Sequence, residues 1–132
     1  MDIMKTLRDF VTLDIAIDMG TSSTRIFNRG GGLVLDEPSL IAVSATTGEV
    51  IATGKDANRL AGRCPAHIEV ASPLSQGVVM DFDLAELMLR RFMSRLLKNR
   101  AMLGARAVIV APAGATGVEF RAFENIATRV GV

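Results

Sequence analysis

The chain has 132 residues, of which 49% are hydrophobic, and its 15 basic and 14 acidic side chains leave a formal net charge of +1. This length fits one domain or part of a larger one, and the balanced charge gives no support to nucleic-acid binding through bulk electrostatics. One cysteine excludes an internal disulfide, and one histidine argues against a multi-histidine metal site or a Ser-His triad. No stretch approaches the roughly 20 apolar residues of a membrane span, and no signal-peptide pattern is visible, so we expect a cytoplasmic protein.

Residues 1–11 predict a short amphipathic lead-in. Its apolar side chains follow helical spacing, with the charged residues off that face. These apolar residues are Ile3, Met4, Leu7, Phe10 and Val11. Such a segment can lie on a membrane surface or pack against the domain, and the absence of a basic excess favours packing.

Residues 13–27 organise the rest of the chain, because they predict two strands joined by a tight turn. Apolar and polar residues alternate up to Asp18, as in a strand with two unlike faces. Gly20 can adopt a positive φ, and the hydroxyl-rich turn after it offers successive backbone N–H groups that can surround phosphate oxygens. Asp18 would then face a metal ion bound to those phosphates. An ordinary Ser/Thr hairpin turn is the alternative.

Short strands, turns and one small helix are predicted for residues 28–77. Turns are expected at 28–32, 36–39 and 46–49, strands at 33–35, 40–44, 50–53 and 68–71, a helix at 56–61, and a loop at 73–77. The three glycines at 30–32 precede neither a Lys-Ser/Thr pair nor a helix, so a hairpin turn is preferred to a phosphate loop there.

Two helices and a strand are predicted for the second half. Asp83 and Glu86 resemble a capping box at the start of the first helix, whose basic second half is typical of a solvated face. The continuously apolar strand at 107–111 is expected to be covered on both faces. Thr116 and Glu119 form a second capping box for the last helix. The order of elements is that of a mixed α/β protein.

With these motifs placed, the sequence resembles the MreB family of bacterial actin homologues, the rod-shape-determining proteins of the actin/Hsp70/sugar-kinase ATPase superfamily. The matching runs are 17–24, 32–34 with 36–39, 62–65, Pro73 with 77–78 and 81–82, and 112–116 with Glu119 and Arg121. The first run is shared by the whole superfamily, whereas the later runs point to MreB-like proteins. The resemblance covers nearly the entire chain from about Leu13.

This resemblance implies an actin-like, ribonuclease H-like α/β ATPase domain, in which helices flank a mixed sheet and a small β-rich insert is added. Only the first half of the two-domain fold is expected. Residues 12–33 and 75–132 would form subdomain IA, and residues 34–74 would form the insert, subdomain IB.

The resemblance also implies a site for ATP with Mg²⁺. Asp18 would hold the Mg²⁺ ion through water. The cofactor-binding residues would be Asp18, Gly20, Thr21, Ser22, Ser23 and Thr24. Ser22 and Ser23 replace the usual Ala and Asn, which alters phosphate binding without abolishing it. The family's catalytic acid, second phosphate loop and adenosine motif are absent, so we expect weak or undetectable ATP binding and no useful hydrolysis by this chain alone, and its status as an enzyme stays open.

A membrane contact and protein partners follow from the same resemblance. MreB proteins bind membranes through an N-terminal amphipathic segment, an apolar loop, or both, and Met102 and Leu103 lie at the place of that loop. Two exposed apolar residues without a role are the alternative. The expected location is the cytoplasm, at the inner face of the cell membrane. The expected partners are a second copy of the chain or a full-length actin-like filament, and not nucleic acid.

Three functions are therefore compared. The first is the N-terminal domain of an MreB-like cytoskeletal protein that determines cell shape. The second is a stand-alone module that caps or regulates actin-like filaments. The third is a fragment of a superfamily sugar kinase, against which the missing sugar-binding signature and the match at 112–121 both argue.

Overall fold

The computed structural model describes residues 3–4, 12–97 and 104–132. Of the lead-in, only the helical and exposed Ile3 and Met4 are included. Met102 and Leu103 lie outside the described residues, so the membrane roles expected of the lead-in and of this loop stay predictions. Among the described residues, no helix combines the length and the apolar character that crossing a membrane would take.

The described residues form nine strands and three helices. The strands are β1 Thr12–Met19, β2 Ser23–Asn28, β3 Gly32–Pro38, β4 Ile41–Ser44, β5 Val50–Thr53, β6 Ile68–Ala71, β7 Leu74–Ser75, β8 Val78–Val79 and β9 Gly104–Val110. The helices are α1 Lys55–Leu60, α2 Phe82–Leu96 and α3 Gly117–Val130.

The strands form two main sheets and one hairpin. The large sheet has the order β3-β2-β1-β9, and the small sheet has the order β5-β4-β6, while β7 and β8 form a hairpin. In the large sheet β1 is antiparallel to β2 and parallel to β9, in a register that runs from Thr12 opposite Gly104 to Asp18 opposite Val110. The mixed sheet flanked by helices, predicted from the sequence, is confirmed.

The core lies between one face of the large sheet and the helices α2 and α3. Leu13, Ile15, Ile17 and Met19 alternate along β1 and are all buried. The helices contribute the fully buried side chains Met88, Leu89, Phe92, Phe123 and Ile126. Burying each large apolar side chain stabilises the fold by about 1.5–3 kcal/mol, so this face fixes how the helices lie on the sheet.

The opposite face of the large sheet, here named the outer face, is left uncovered by the residues that the structure describes. Val108 is 67% exposed and Val110 is 46% exposed, and no described element packs over them. The expectation that strand 107–111 is covered on both faces is therefore wrong for the described part of the chain, because α2 and α3 cover only one face. Between Ala16, Phe27 and Val108 lies a shallow apolar depression of about 470 Å³.

Two local predictions for residues 28–77 are wrong. Residues 36–38 continue β3 instead of turning, because β3 pairs with β2 along its whole length and Asp36 contacts Arg25 across the two strands at 3.4 Å. The loop predicted at 73–77 contains the strand Leu74–Ser75, which pairs with Val78–Val79.

The start of α2 also differs from the capping box predicted at Asp83 and Glu86. Asp81 is the N-cap, and its carboxylate accepts a hydrogen bond from the backbone N–H of Leu84 at 3.0 Å. Glu86 instead binds Arg90 of its own helix at 2.8 Å and Arg129 of α3 at 3.4 Å. The second capping box, Thr116 with Glu119, is confirmed.

A polar cluster joins the small sheet to α2. The carboxylate of Glu37, at the end of β3, accepts hydrogen bonds from the backbone N–H of Lys55 at 2.7 Å and from the Arg95 guanidinium at 2.9 Å. Arg95 also donates to the Thr53 hydroxyl at 2.8 Å. The boundary predicted between residues 33 and 34 falls inside β3, and the division into subdomains IA and IB stays a prediction.

Candidate phosphate-binding turn

The candidate site lies where β1 and β9 end. These neighbouring strands are parallel, so their carboxyl ends reach the same edge of the sheet, which is where ligands bind in open α/β sheets. The turn at residues 20–22, here named the phosphate turn, leaves β1 at this edge. The loop at 111–116 leaves β9 beside it and leads into α3.

Glycine is required at position 20 because the turn is tight. The Gly20 N–H donates to the Ser23 carbonyl at 2.9 Å, and a Cβ at position 20 would lie 2.9 Å from the same oxygen. The backbone of Gly20 does not adopt a positive φ, so that part of the prediction is wrong. The need for glycine comes from this close approach of backbone to backbone.

Thr24 and Ser39 lie beneath the phosphate turn and are 0% and 1% exposed. The Ser39 hydroxyl donates to the Gly20 carbonyl at 2.6 Å and contacts the Thr24 hydroxyl at 2.9 Å. The Ser39 N–H donates to the Ser22 carbonyl at 3.1 Å. In this conformation the Thr24 hydroxyl is therefore engaged inside the protein, and the hydrogen bonds of Ser39 were not predicted from the sequence.

Thr21 joins the phosphate turn to the β7–β8 hairpin. Its hydroxyl accepts a hydrogen bond from the backbone N–H of Gly77 at 2.8 Å. Gly77 has φ +76°, and a Cβ there would lie 2.9 Å from the Pro112 ring. Its neighbour Gln76 has φ +50°, an uncommon conformation for a residue with a side chain. Three segments distant in sequence therefore meet at the site.

Asp18, Ser22 and Ser23 keep polar groups available for a ligand. Ser22 is exposed, and Asp18 and Ser23 are half-buried. Within the described residues, the Asp18 carboxylate has neither an ion pair nor a hydrogen bond. Asp18 follows Asp14 and Ala16 in the alternation of β1, which places it toward the outer face, next to Val110 in register.

The described residues contain no cluster of three or more His, Cys, Asp or Glu side chains that could hold a metal ion. A closed protein cage for a metal is thus not formed there. The single carboxylate of Asp18 beside a phosphate turn does fit Mg²⁺, because Mg²⁺ in nucleotide sites keeps several waters and binds through one or two carboxylates plus the phosphates.

Asp14 lies four residues before Asp18 on the same face of β1, and two arginines neutralise its charge. Its carboxylate binds Arg106 of β9 at 2.7 and 2.8 Å and Arg29 at 3.4 Å. The hydrogen bonds and charge of Arg106, followed by those of Arg29, lower the pKa of Asp14 despite partial desolvation. Asp14 therefore links β1 to β9 and to the turn that follows β2, in contrast to Asp18.

The fold is that of the actin-like proteins. It superimposes on the crystal structure of MreB5 of Spiroplasma citri bound to ADP with a TM-score of 0.80 and 31% sequence identity, covering 92% of this chain and 36% of that one. A sequence model of the MreB/Mbl protein matches residues 12–132. The chain belongs to the MreB/Mbl family, which confirms the resemblance inferred from its sequence.

Two curated relatives are named as cell shape-determining proteins. Mbl of Bacillus cereus is 39% identical over 118 residues, which cover 89% of this chain and 35% of that protein. MreB of Pasteurella multocida is 37% identical over 134 residues, which cover 98% of this chain and 38% of that protein. The chain thus spans somewhat more than a third of the length of these relatives, and the match leaves the sugar-kinase alternative without support.

Proposed function

We propose that this chain is the N-terminal domain of an actin-like cytoskeletal protein that acts in cell-shape determination, and that it supplies the first phosphate-binding turn for ATP or ADP with Mg²⁺. The observation that carries the proposal is the phosphate turn itself: a tight turn at the carboxyl ends of two parallel strands, beside a carboxylate that has no partner among the described residues. The crystallised MreB5 was bound to ADP, which supports a nucleotide as the ligand.

Each part of the site has a distinct role in the proposal. The backbone N–H groups of Thr21 and Ser23 and the hydroxyls of Ser22 and Ser23 donate to phosphate oxygens. Asp18 would hold a Mg²⁺ ion through water, and that ion would neutralise phosphate charge. Thr21 and the buried pair Thr24 and Ser39 hold the turn in shape.

The site holds a nucleotide from one side, so binding by this chain alone is expected to be weak. We expect a Kd near the millimolar range, which corresponds to about −4 kcal/mol, and no appreciable hydrolysis. The proposal assigns no catalytic residue to this chain. A second domain would have to supply the contacts to adenosine and the attack of water.

Titration of ¹⁵N-labelled protein with Mg-ADP tests this site. The amide signals of Gly20, Thr21, Ser22 and Ser23 should shift together and should respond less when Mg²⁺ is omitted. Asp18→Asn should reduce that Mg²⁺ dependence. Asp36→Asn, a matched change at an exposed carboxylate paired with Arg25, should not. Shifts confined to other regions would contradict the assignment, and submicromolar binding would contradict the one-sided site.

The proposed role includes self-association or addition to a longer actin-like filament. The open outer face, with its exposed Phe27, Leu33, Val108 and Val110, favours an interacting protein and also suits the second candidate function, a module that caps such filaments. Exposed apolar patches of this kind mark interaction sites. Co-sedimentation with a full-length MreB distinguishes a filament subunit from a filament cap. A cap should reduce the amount of pelleted polymer at substoichiometric ratios, whereas a filament subunit should itself appear in the pellet.

Peripheral attachment to the inner face of the cell membrane is also part of the proposal. It relies on the apolar residues of the lead-in and on Met102 and Leu103. Liposome flotation of the wild type and of a Met102→Ser, Leu103→Ser variant tests the loop. Equal flotation of both proteins would remove the loop from the proposal.

A further inference from the structure

Ser39 stands at the centre of a directed chain of buried hydrogen bonds. A serine hydroxyl carries one proton, and at Ser39 that proton points to the Gly20 carbonyl oxygen, 2.6 Å away. The contact of 2.9 Å with Thr24 therefore has Thr24 as the donor and Ser39 as the acceptor. Both side chains are buried, so their hydroxyls are shielded from water.

These bonds set the direction of the peptide groups in the phosphate turn. Ser39 holds the carbonyl of Gly20 through its hydroxyl and the carbonyl of Ser22 through its own N–H. In a planar trans peptide the C=O of one residue and the N–H of the next point in opposite directions. The N–H groups of Thr21 and Ser23 therefore point away from Ser39, and alternate peptides of the turn have the same orientation.

We propose that Ser39 is the positioning residue of the phosphate turn: it fixes two carbonyls inward so that the N–H groups of Thr21 and Ser23 are presented to phosphate oxygens. The inference rests on the proposed nucleotide site and adds a residue outside the turn to it. Ser39 contacts no ligand itself. It acts through the backbone of Gly20 and Ser22, from a position 19 residues beyond Gly20 in the chain.

The location of Ser39 adds a second constraint. It lies between the end of β3 in the large sheet and the start of β4 in the small sheet. The next residue, Leu40, donates its N–H to Pro38 and accepts from Gly54, each at 2.8 Å. The residue that binds the phosphate turn thus lies where the chain passes from the large sheet to the small sheet.

A positioning role can be separated from ordinary packing by comparing stability with affinity. Ser39→Ala leaves the Thr24 hydroxyl and the Gly20 carbonyl without partners, so stability and affinity should both fall. The double variant Thr24→Val, Ser39→Ala also removes the Thr24 hydroxyl that Ser39→Ala leaves unpaired, so part of the stability should return. The Gly20 carbonyl is still not held, so the affinity for phosphate should not return.

The experiment measures the Kd of the whole chain for Mg-ADP by amide shifts, at a temperature well below every unfolding midpoint. Ser39→Ala and the double variant should each bind about tenfold more weakly, the equivalent of one lost hydrogen bond to a fixed group. Ser44→Ala, which removes a buried hydroxyl in β4 that contacts Thr46, is the matched control and should bind like the wild type.

The outcomes are distinguishable. Unchanged affinity in the double variant overturns the role of Ser39 and leaves the nucleotide site standing. A full return of affinity together with stability also overturns it, because packing alone would explain the loss. If Ser39→Ala does not fold, the double variant decides the matter. If the wild type does not bind Mg-ADP, the proposed site fails and the inference fails with it.

Discussion

The hydroxyl of Thr21 and the backbone N–H of Gly77 are joined by a hydrogen bond of 2.8 Å across 56 positions of sequence. Ser39 binds the carbonyls of Gly20 and Ser22 in the phosphate turn, and Gly77 binds the Thr21 side chain of the same turn. The turn therefore depends on two distant segments for its shape. A site built in this way is sensitive to changes at residues that no ligand touches.

Thr21→Val should release the β7–β8 hairpin from the phosphate turn. The Gly77 N–H loses its acceptor, at a cost of about 1 kcal/mol, and its amide should exchange with solvent faster. Amide exchange followed by NMR measures this directly. Thr21→Ser keeps the hydroxyl and serves as the control, and equal protection of Gly77 in both variants would show that the hydrogen bond is not formed in solution.

Gly20→Ala should disrupt the turn, because its new Cβ would lie 2.9 Å from the Ser23 carbonyl oxygen. We expect a destabilisation of about 1–3 kcal/mol and the loss of the amide shifts caused by Mg-ADP. Gly31→Ala is the matched control, since a Cβ there meets only ordinary contacts at 3.5 Å or more. Urea unfolding gives the stability of both variants. Retention of the shifts in Gly20→Ala would argue against this turn as the binding site.

Asp14 should make the stability depend on pH under acidic conditions. Arg106 lowers its pKa in the folded chain below the ordinary value of 3.8, so the folded state binds the proton less tightly than the unfolded state. The stabilisation is complete above that ordinary value and is lost as the pH falls through the lowered, folded-state pKa.

Arg106→Met should therefore raise the pKa of Asp14 toward 3.8, and Arg29 should keep it from rising fully. NMR titration of the Asp14 carboxyl measures this shift. The stability difference between wild type and variant should shrink as the pH falls below that value. A difference that stays constant through this range would show that Arg106 acts by packing alone.

Arg95→Met should weaken the attachment of the small sheet to α2. It leaves the Glu37 carboxylate, which is only 14% exposed, with the Lys55 N–H as its remaining partner, at a cost of about 1–2 kcal/mol. Arg59→Met breaks a pair whose side chains are 77% and 64% exposed and should cost less than about 0.5 kcal/mol. Urea unfolding compares the two, and equal costs would contradict the structural role of Glu37.

Val108→Ser should reduce self-association with little effect on the fold. The side chain is 67% exposed on the outer face, so its loss should change the stability by no more than about 0.5 kcal/mol. Val118→Ser alters an even more exposed valine, on α3, and should leave self-association unchanged. Sedimentation velocity over a range of concentrations measures both. Equal behaviour of the two variants would remove the outer face from the proposed interface.

The parts predicted correctly from the sequence are those that local pattern determines. The alternation of Leu13, Ile15 and Ile17 predicts the strand and its buried face, and the Thr116 and Glu119 pair marks the start of α3. In both cases the physical cause lies within a few residues. The position of the phosphate turn follows in the same way, since it is where the alternation of β1 stops.

The parts that were predicted wrongly, or not predicted at all, depend on partners far along the chain. In a regular strand Leu33 and Leu35 would lie on the same face, yet Leu33 is exposed and Leu35 is buried. An irregularity in the pairing of β2 with β3 places Leu33 opposite Phe27 and Leu35 opposite Ile26, which are neighbours on opposite faces of β2. Composition did not reveal that the described residues would cover only one face of β9. The hydrogen bonds of Ser39 form only in the tertiary fold. The one sequence signal for Ser39 was its place in the run 36–39, which matches the MreB family.

The parallel pairing of β1 with β9 has a consequence for synthesis on the ribosome. Asp14 and Arg106, which bind each other across these strands, are separated by 92 positions. The first hairpin can form early, but the apolar face of β1 and the edge that β9 will occupy must wait for most of the chain to emerge. Contacts of such long sequence separation form slowly, so the nascent chain presents an unpaired, aggregation-prone edge during that interval. We therefore expect the yield of folded protein to depend on translation speed and on chaperones that bind exposed strands.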